Sequence, residues 1–167
     1  SICVDKTGDI HMLYYNNGIF YRKLKVSGDS AGGSDGMYMP GDYDGNGLDD
    51  ACVYYPDTGA WYIRYNEYGT FGREEKVNWG WSDAQPVPAD YDGDGRVDFG
   101  WFDPAAGTWH VLESSRNHAE RLPAPQLGGA RDRPLPGDYD GDGRADCAVF
   151  RGGSGAIRVL SSADGQT

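Results

Sequence analysis

The chain has 167 residues, with 26 aspartate or glutamate residues against 15 lysine or arginine residues, so its formal charge is −11. An acidic chain without a basic cluster is not expected to bind nucleic acid, and no apolar run is long enough to span a membrane. The length suits one domain with a sizeable core, so residues 1–167 are treated as a single domain. The cysteines Cys3, Cys52 and Cys147 form neither a disulfide framework nor a metal motif and are predicted to be small core residues.

Residues 1–39 have the pattern of the later part of a repeating unit. Apolar and more polar residues alternate over 10–14, which is typical of a β-strand, and Asn-Asn-Gly at 16–18 is a hairpin signal. Residues 27–36 are rich in Gly, Ser and Asp and are expected to form a surface loop. This partial repeat has no acidic loop of the kind found further along the chain.

The rest of the chain contains two full repeats, 40–87 and 88–135, and a truncated one, 136–167. Each repeat opens with a short strand, continues through an acidic loop into an apolar strand, and turns into a further strand. The full repeats add a more polar outer strand. The predicted strands are 37–41, 51–55, 60–65 and 70–77 around the first loop, 86–89, 99–102, 108–112 and a ragged segment to 122 around the second, and 135–137, 147–151 and 157–161 around the third.

The predicted fold class is all-β. No stretch has a helical period, and with three strands in residues 1–39 the predicted repeats hold three, four, four and three strands. Units of four short antiparallel strands near this length are typical of β-propeller blades, of which the chain would hold about three and a half. Because propellers close with four to eight blades, we expect either self-association or continuation in a longer chain.

The acidic loop occurs three times, and Asp42, Asp90 and Asp138 begin copies that are 48 residues apart. Carboxylate or amide side chains occupy loop positions 1, 3, 5 and 9. Glycines at positions 4 and 6 allow the backbone to turn, and the variable position 7 is expected to offer its carbonyl. The predicted ligands are Asp42, Asp44, Asn46, Leu48 and Asp50, then Asp90, Asp92, Asp94, Arg96 and Asp98, then Asp138, Asp140, Asp142, Arg144 and Asp146.

The ligand chemistry of these loops predicts three Ca²⁺ sites, because calcium takes six to eight hard oxygen ligands. The lack of nitrogen and sulfur ligands argues against zinc and copper, and Mg²⁺ prefers to keep several waters. Ordinary Asp-Gly turns are the alternative, but they do not explain three copies in register. An EF-hand does not fit, because strands follow the loops and position 12 holds no glutamate.

A family resemblance rests on the unit Pro-Gly-Asp-Tyr-Asp-Gly-Asp-Gly-x-x-Asp, seen at 136–146, and on the apolar strand, turn and Gly-x-Trp that follow it in the full repeats. This unit resembles the FG-GAP or VCBS-type repeat over essentially the whole chain. The resemblance implies integrin-α-like propeller blades, with calcium in the hairpin between a blade's first two strands. It carries over to the acidic positions of all three loops, with Asn46 in place of the usual acid. The Gly-x-Trp position holds Trp61 and Trp109 but Ile157 in the last repeat.

Catalytic residues are not evident from the sequence. His11, His110 and His118 are scattered over different repeats, and a Gly-x-Ser-x-Gly pattern at 32–36 lies in a glycine-rich loop with no helical pattern after it. We therefore predict that the chain is not an enzyme. The alternatives are a propeller segment of a larger polysaccharide lyase or hydrolase, and a purely structural scaffold.

Aromatic residues supply the remaining signal. Trp61 and Trp109 recur at one position of the repeat and are predicted to pack between blades, whereas Trp79, Trp81 and Trp101 are predicted to bind a ligand. Aromatic rings stack on sugar faces, and some fungal and bacterial lectins that resemble this architecture hold sugars between blades. We expect a non-catalytic, lectin- or adhesion-like module that recognises a glycan or an extracellular protein. An extracellular or cell-surface location is expected, because millimolar calcium fills weak loop sites there.

Overall fold

The computed structural model describes residues 36–163 and, before them, the strands within residues 2–24. The fold is all-β, as predicted, and its described residues include one short 3₁₀ turn, η1 (Ser114–Arg116). The turn predicted at 16–18, nearly all of 27–36 and the side chains of Cys3 and His11 lie outside what the structure describes. No helix in the described part of the chain has the length and apolar character needed to cross a membrane.

Fourteen strands among the described residues form four antiparallel sheets, each built from strands in chain order. The first sheet contains β1 (Ile2–Val4), β2 (Ile10–Tyr15) and β3 (Ile19–Leu24). The second contains β4 (Met37–Tyr38), β5 (Ala51–Tyr55), β6 (Ala60–Glu67) and β7 (Thr70–Asn78). The third contains β8 (Gln85–Pro86), β9 (Phe99–Asp103), β10 (Thr108–Glu113) and β11 (Ala119–Glu120). The fourth contains β12 (Asp132–Pro134), β13 (Cys147–Arg151) and β14 (Ala156–Leu160).

The division into three, four, four and three strands is confirmed, but the strand that opens each acidic repeat differs from its prediction. The strand predicted at 135–137 is wrong, since β12 lies three residues earlier. The cause is a proline that precedes each loop at 40, 88 and 136 and has no N–H to donate to the sheet. Pairing resumes beyond each proline as the isolated bridges Gly41–Asp50, Ala89–Asp98 and Gly137–Asp146.

The second strand of each acidic repeat is buried along most of its length, as its apolar sequence predicts. β5, β9 and β13 run through the middle of their sheets, and Cys52 and Cys147 are buried free thiols on β5 and β13. The predicted core role of these two cysteines is confirmed. β7 forms the outer edge of the second sheet and exposes mainly charged residues.

Two equivalent hydrophobic cores lie between the second and third sheets and between the third and fourth sheets. The first contains Tyr43, Tyr54, Trp61, Ile63, Phe99 and Leu112, and the second contains Tyr91, Phe102, Trp109, Val111 and Cys147. Trp61 Nε1 donates to the Trp79 carbonyl at 2.8 Å, and Trp109 Nε1 donates to the Leu127 carbonyl at 3.0 Å. Donor and acceptor both recur after 48 residues, so the predicted packing role of Trp61 and Trp109 is confirmed.

Candidate metal centres

Three acidic loops, 42–50, 90–98 and 138–146, join the first two strands of the second, third and fourth sheets. The turn of each loop depends on its two glycines: Gly45 and Gly47 both have φ of 82°, in the left-handed region that favours glycine. The tyrosine at position 2 fixes the entry to the loop, because its hydroxyl donates to the carbonyl four residues earlier. In the second loop, Tyr91 donates to the Val87 carbonyl at 2.7 Å.

Each loop brings three carboxylates together, with one oxygen from each residue within 4.8 Å of the others. The clusters are Asp42, Asp44 and Asp50 in the first loop, Asp90, Asp92 and Asp94 in the second, and Asp138, Asp140 and Asp146 in the third. Nine of the predicted side-chain ligands therefore lie within metal-binding distance of one another, three in each loop. Because the donors are all oxygens, the clusters are compatible with a hard cation. The ligand roles of all the predicted residues, including the position 7 carbonyls of Leu48, Arg96 and Arg144, stay predictions.

The position 1 aspartate is held by the amides of its own loop. Asp42 accepts from Gly45 N at 2.6 Å and from Gly47 N at 2.7 Å, one bond to each carboxylate oxygen. The same pair of bonds forms at Asp90 and Asp138. These bonds are charge-assisted, which makes them stronger than bonds between neutral groups. The loop backbone therefore orients the first ligand of each cluster.

The position 9 aspartate is buried and joins the loop to the end of the third strand. Asp98 accepts from Tyr91 N at 2.9 Å and from Ser114 N at 2.7 Å, and Asp50 and Asp146 make the equivalent pairs of bonds. Burial raises the pKa of Asp98 to about 6 despite these bonds. Burial also acts to raise the pKa of Asp146, but backbone bonds from Ser162 and Tyr139 outweigh it and the net shift is downward. Sequence reasoning treated this residue only as a ligand, whereas it is also a structural anchor.

The sequence analysis did not identify one further residue at each site. These residues are Asn66, Ser114 and Ser162, which lie at or just after the end of the third strand of their sheets. Ser114 Oγ donates to Asp94 Oδ2 at 2.9 Å, and Ser162 Oγ donates to Asp142 Oδ2 at 3.0 Å. In the first loop the roles reverse, since Asn46 Nδ2 donates to the Asn66 carbonyl at 2.9 Å. All three residues orient the position 5 side chain. The 48-residue spacing of a short polar residue was the signal that could have found them.

Neighbouring loops are connected by their backbones. Val97 N donates to the Asp42 carbonyl at 2.7 Å, and Ala145 N donates to the Asp90 carbonyl at the same distance. The aliphatic stem of Arg96 lies against Gly45, and that of Arg144 lies against Gly93. The guanidinium of Arg96 binds Asp94 of its own loop. The three loops therefore form one continuous row rather than three isolated sites.

The three tryptophans predicted to bind a ligand do come together. Trp101 lies beside both Trp79 and Trp81, with ring centroids 5.5 and 3.4 Å apart. Trp101 is buried, and its Nε1 has no hydrogen-bond partner among the described residues, while Trp81 is exposed. His110 stacks on Trp101 at 3.9 Å and pairs with Glu120 at 2.7 Å. Trp79 also has a structural role, because its carbonyl accepts the bond from Trp61.

A cavity of about 340 Å³ lies beside the third loop, between the fourth sheet and the segment that follows the third sheet. It is lined by Arg121, Leu122, Pro123, Pro125, Ala145, Cys147, Leu160, Ser161 and Ser162. The position of Cys147 in this core is held one repeat earlier by the larger Phe99. Among the described residues, this groove therefore has space for a small ligand.

The fold and the loops together define a class: a β-sheet repeat protein in which three successive blade-like sheets carry an oxygen-rich loop between their first two strands. Residues 42–101 match the family described as FG-GAP-like repeat. This segment contains the first two acidic loops and the strands β5, β6 and β7 between them, so the match supports the FG-GAP-like repeat family. No curated protein and no solved structure matches the chain.

Proposed function

We propose that the chain is a non-catalytic, calcium-binding β-propeller-type module in which calcium has a structural role. The observation that carries this proposal is an oxygen-only cluster of three carboxylates in the corresponding loop of three successive sheets, built on positions 1 and 3 with position 9 in the first and third loops and position 5 in the second. Aspartates at positions 1, 3, 5 and 9 would hold the ion, with Asn46 replacing the acid at position 5 of the first loop. Bound calcium supplies positive charge to carboxylates that repel one another when they are brought this close.

The proposed location is extracellular or on a cell surface. Extracellular calcium sites have dissociation constants of roughly 10⁻⁴ to 10⁻³ M and fill at millimolar calcium. The carboxylates at positions 1 and 3 of the third loop are exposed, which suits sites of this weak class. Much of the charge of −11 would then be metal-binding capacity.

Calcium binding is tested by titration calorimetry and by thermal unfolding with and without chelator. At ten times the dissociation constant each site adds about 1.4 kcal/mol to the free energy of unfolding, so three sites add about 4 kcal/mol. Asp92→Asn should reduce the number of bound ions by one, while Asp83→Asn, an exposed acid outside the loops, should leave it unchanged. A melting temperature that is the same with calcium and with chelator would contradict the proposal.

For the ligand we propose a glycan, and the exposed Trp81 beside the unpaired Trp101 Nε1 favours it over a protein partner. A tryptophan ring offers an apolar face to a sugar ring, and a buried N–H without an acceptor is costly unless a ligand or water supplies one. His110 and Glu120 add polar groups at the same place. The cavity lined by Cys147 is a second place of suitable size.

A glycan array in millimolar calcium tests this ligand and separates the two places. Trp81→Ala should abolish binding if the tryptophan cluster is the site, and Cys147→Phe should abolish it if the cavity is. Tyr68→Ala, which removes an exposed ring from the β6–β7 turn, is the control. If folded, calcium-loaded protein binds no glycan, a protein-adhesion or scaffold role is favoured instead. If the chain degrades a polysaccharide, the enzyme alternative is favoured.

A further inference from the structure

The face of the fourth sheet that points away from the third sheet carries apolar side chains. We call it the open face and define it by Leu135, Tyr139, Phe150, Ile157 and Val159. These residues lie 48 positions after Val87, Tyr91, Phe102, Trp109 and Val111, which form the buried core between the third and fourth sheets. The open face therefore consists of the residues that make an inter-sheet core elsewhere in the chain.

Exposure separates the open face from its two buried counterparts. Tyr43 and Tyr91 are 6% and 0% exposed, but Tyr139 at the same loop position is 50% exposed. Trp61 and Trp109 are fully buried, but Ile157 is 55% exposed. Leu135 is 40% exposed, compared with 4% for Val87. Isolated apolar residues on a surface are ordinary, but a contiguous group of them marks an interaction surface.

The first two loops each contact the following loop through a backbone carbonyl and a glycine. The corresponding groups of the third loop make no such contact with the described residues. The carbonyls of Asp42 and Asp90 each accept an amide from the following loop, whereas no described residue makes this bond to Asp138. Arginine stems cover Gly45 and Gly93, whereas nothing lies within 4 Å of a Cβ placed on Gly141. Backbone and side chains therefore agree that this side of the fourth sheet is shaped to receive another sheet of the same repeat.

We infer that the open face is an interface with a second copy of this chain. The inference rests on continuity with the two internal interfaces, which show what the occupant must look like: a sheet of this repeat, and each copy of the chain carries such sheets. A contact between the front of one sheet and the back of another is heterologous, so it must either close into a ring or extend indefinitely. Two copies with four described sheets each supply eight sheets, within the range in which propellers close. The expected assembly is a closed pair.

Analytical ultracentrifugation of the full chain in calcium, over a range of protein concentrations, tests the inference. The expected mass is that of two chains, and it should fall to one chain on dilution. Ile157→Asp should raise the dissociation constant at least about tenfold. Leu135→Lys should act in the same direction from another part of the face. Both residues are exposed within one chain, so neither change should affect the melting of the monomer.

Tyr68→Asp is the matched control, because Tyr68 is a highly exposed aromatic residue in the β6–β7 turn and not on the open face. It should leave the dissociation constant unchanged. A single-chain mass at every concentration overturns the inference, as does a pair that both open-face variants leave intact. A series of masses that grows without limit overturns the closed pair. None of these outcomes depends on whether the protein binds a glycan.

Discussion

Replacement of Trp109 by phenylalanine tests whether the indole N–H is a structural part of the inter-sheet contact. Trp109 is buried, and its Nε1 donates to the Leu127 carbonyl at 3.0 Å. Phenylalanine keeps an aromatic ring but leaves that carbonyl without its donor, at a cost of about 1–3 kcal/mol. The smaller ring also leaves a void, which adds about 1 kcal/mol. The free energy of unfolding should therefore fall by roughly 2–4 kcal/mol.

Thermal unfolding in saturating calcium measures this effect. For a chain of this size each kcal/mol lowers the melting temperature by about 2–4 °C, so Trp109→Phe should melt roughly 4–16 °C lower. Trp81→Phe is the control, because Trp81 is exposed and should change the stability by less than about 1 kcal/mol. If Trp109→Phe has the same melting temperature as the wild type, the hydrogen bond to the Leu127 carbonyl does not stabilise the contact between the sheets. The interpretation of the tryptophan that recurs every 48 residues as a structural element of that contact would then be wrong.

Two further predictions concern the turns and the fourth sheet. Gly107→Ala should lower the free energy of unfolding in urea by about 2–4 kcal/mol, because φ is 69° and the new Cβ would collide with the Gly128 carbonyl. In the control Gly153→Ala, the new Cβ meets nothing within 4 Å, so the change should be nearly neutral. Equal costs for the two changes would contradict this account. The hydrogen bonds from Arg151 lower the pKa of buried Asp132, so this pair stabilises the fold above the unfolded pKa of about 4 and is lost as pH falls through the lower folded pKa. Asp132→Asn should thus melt below the wild type at neutral pH, and the gap should close in acid; a gap that is constant with pH would refute this.

The sequence predicts the loops and central strands well because the repeat states the same constraint three times. Strands 51–55 and 147–151 were predicted to the residue, since an apolar run after an acidic loop has few other interpretations. The strand at 135–137 was misplaced because the proline signal was not weighed against the apolar one. The structural role of Trp79 was not predicted, because it depends on the carbonyl of this residue and a sequence indicates side-chain chemistry only. The different environments of the loop aspartates could not be predicted either. They depend on which aspartate the third strand covers, and that contact is between residues far apart in the sequence.

The position 9 aspartate explains how charge in a loop can affect packing between sheets. In the second loop Asp98 binds the amides of Tyr91 and Ser114, and the Tyr91 ring extends into the core that contains Trp109. The carboxylate therefore fixes the loop, the end of the third strand and a core residue at once. Burial raises the pKa of Asp98, because the charged form of a buried carboxyl group is disfavoured. Under the proposed function a cation held in the loop would offset that cost, and the bonds from Val97 N to Asp42 and from Ala145 N to Asp90 connect the second and third loops to the loops before them.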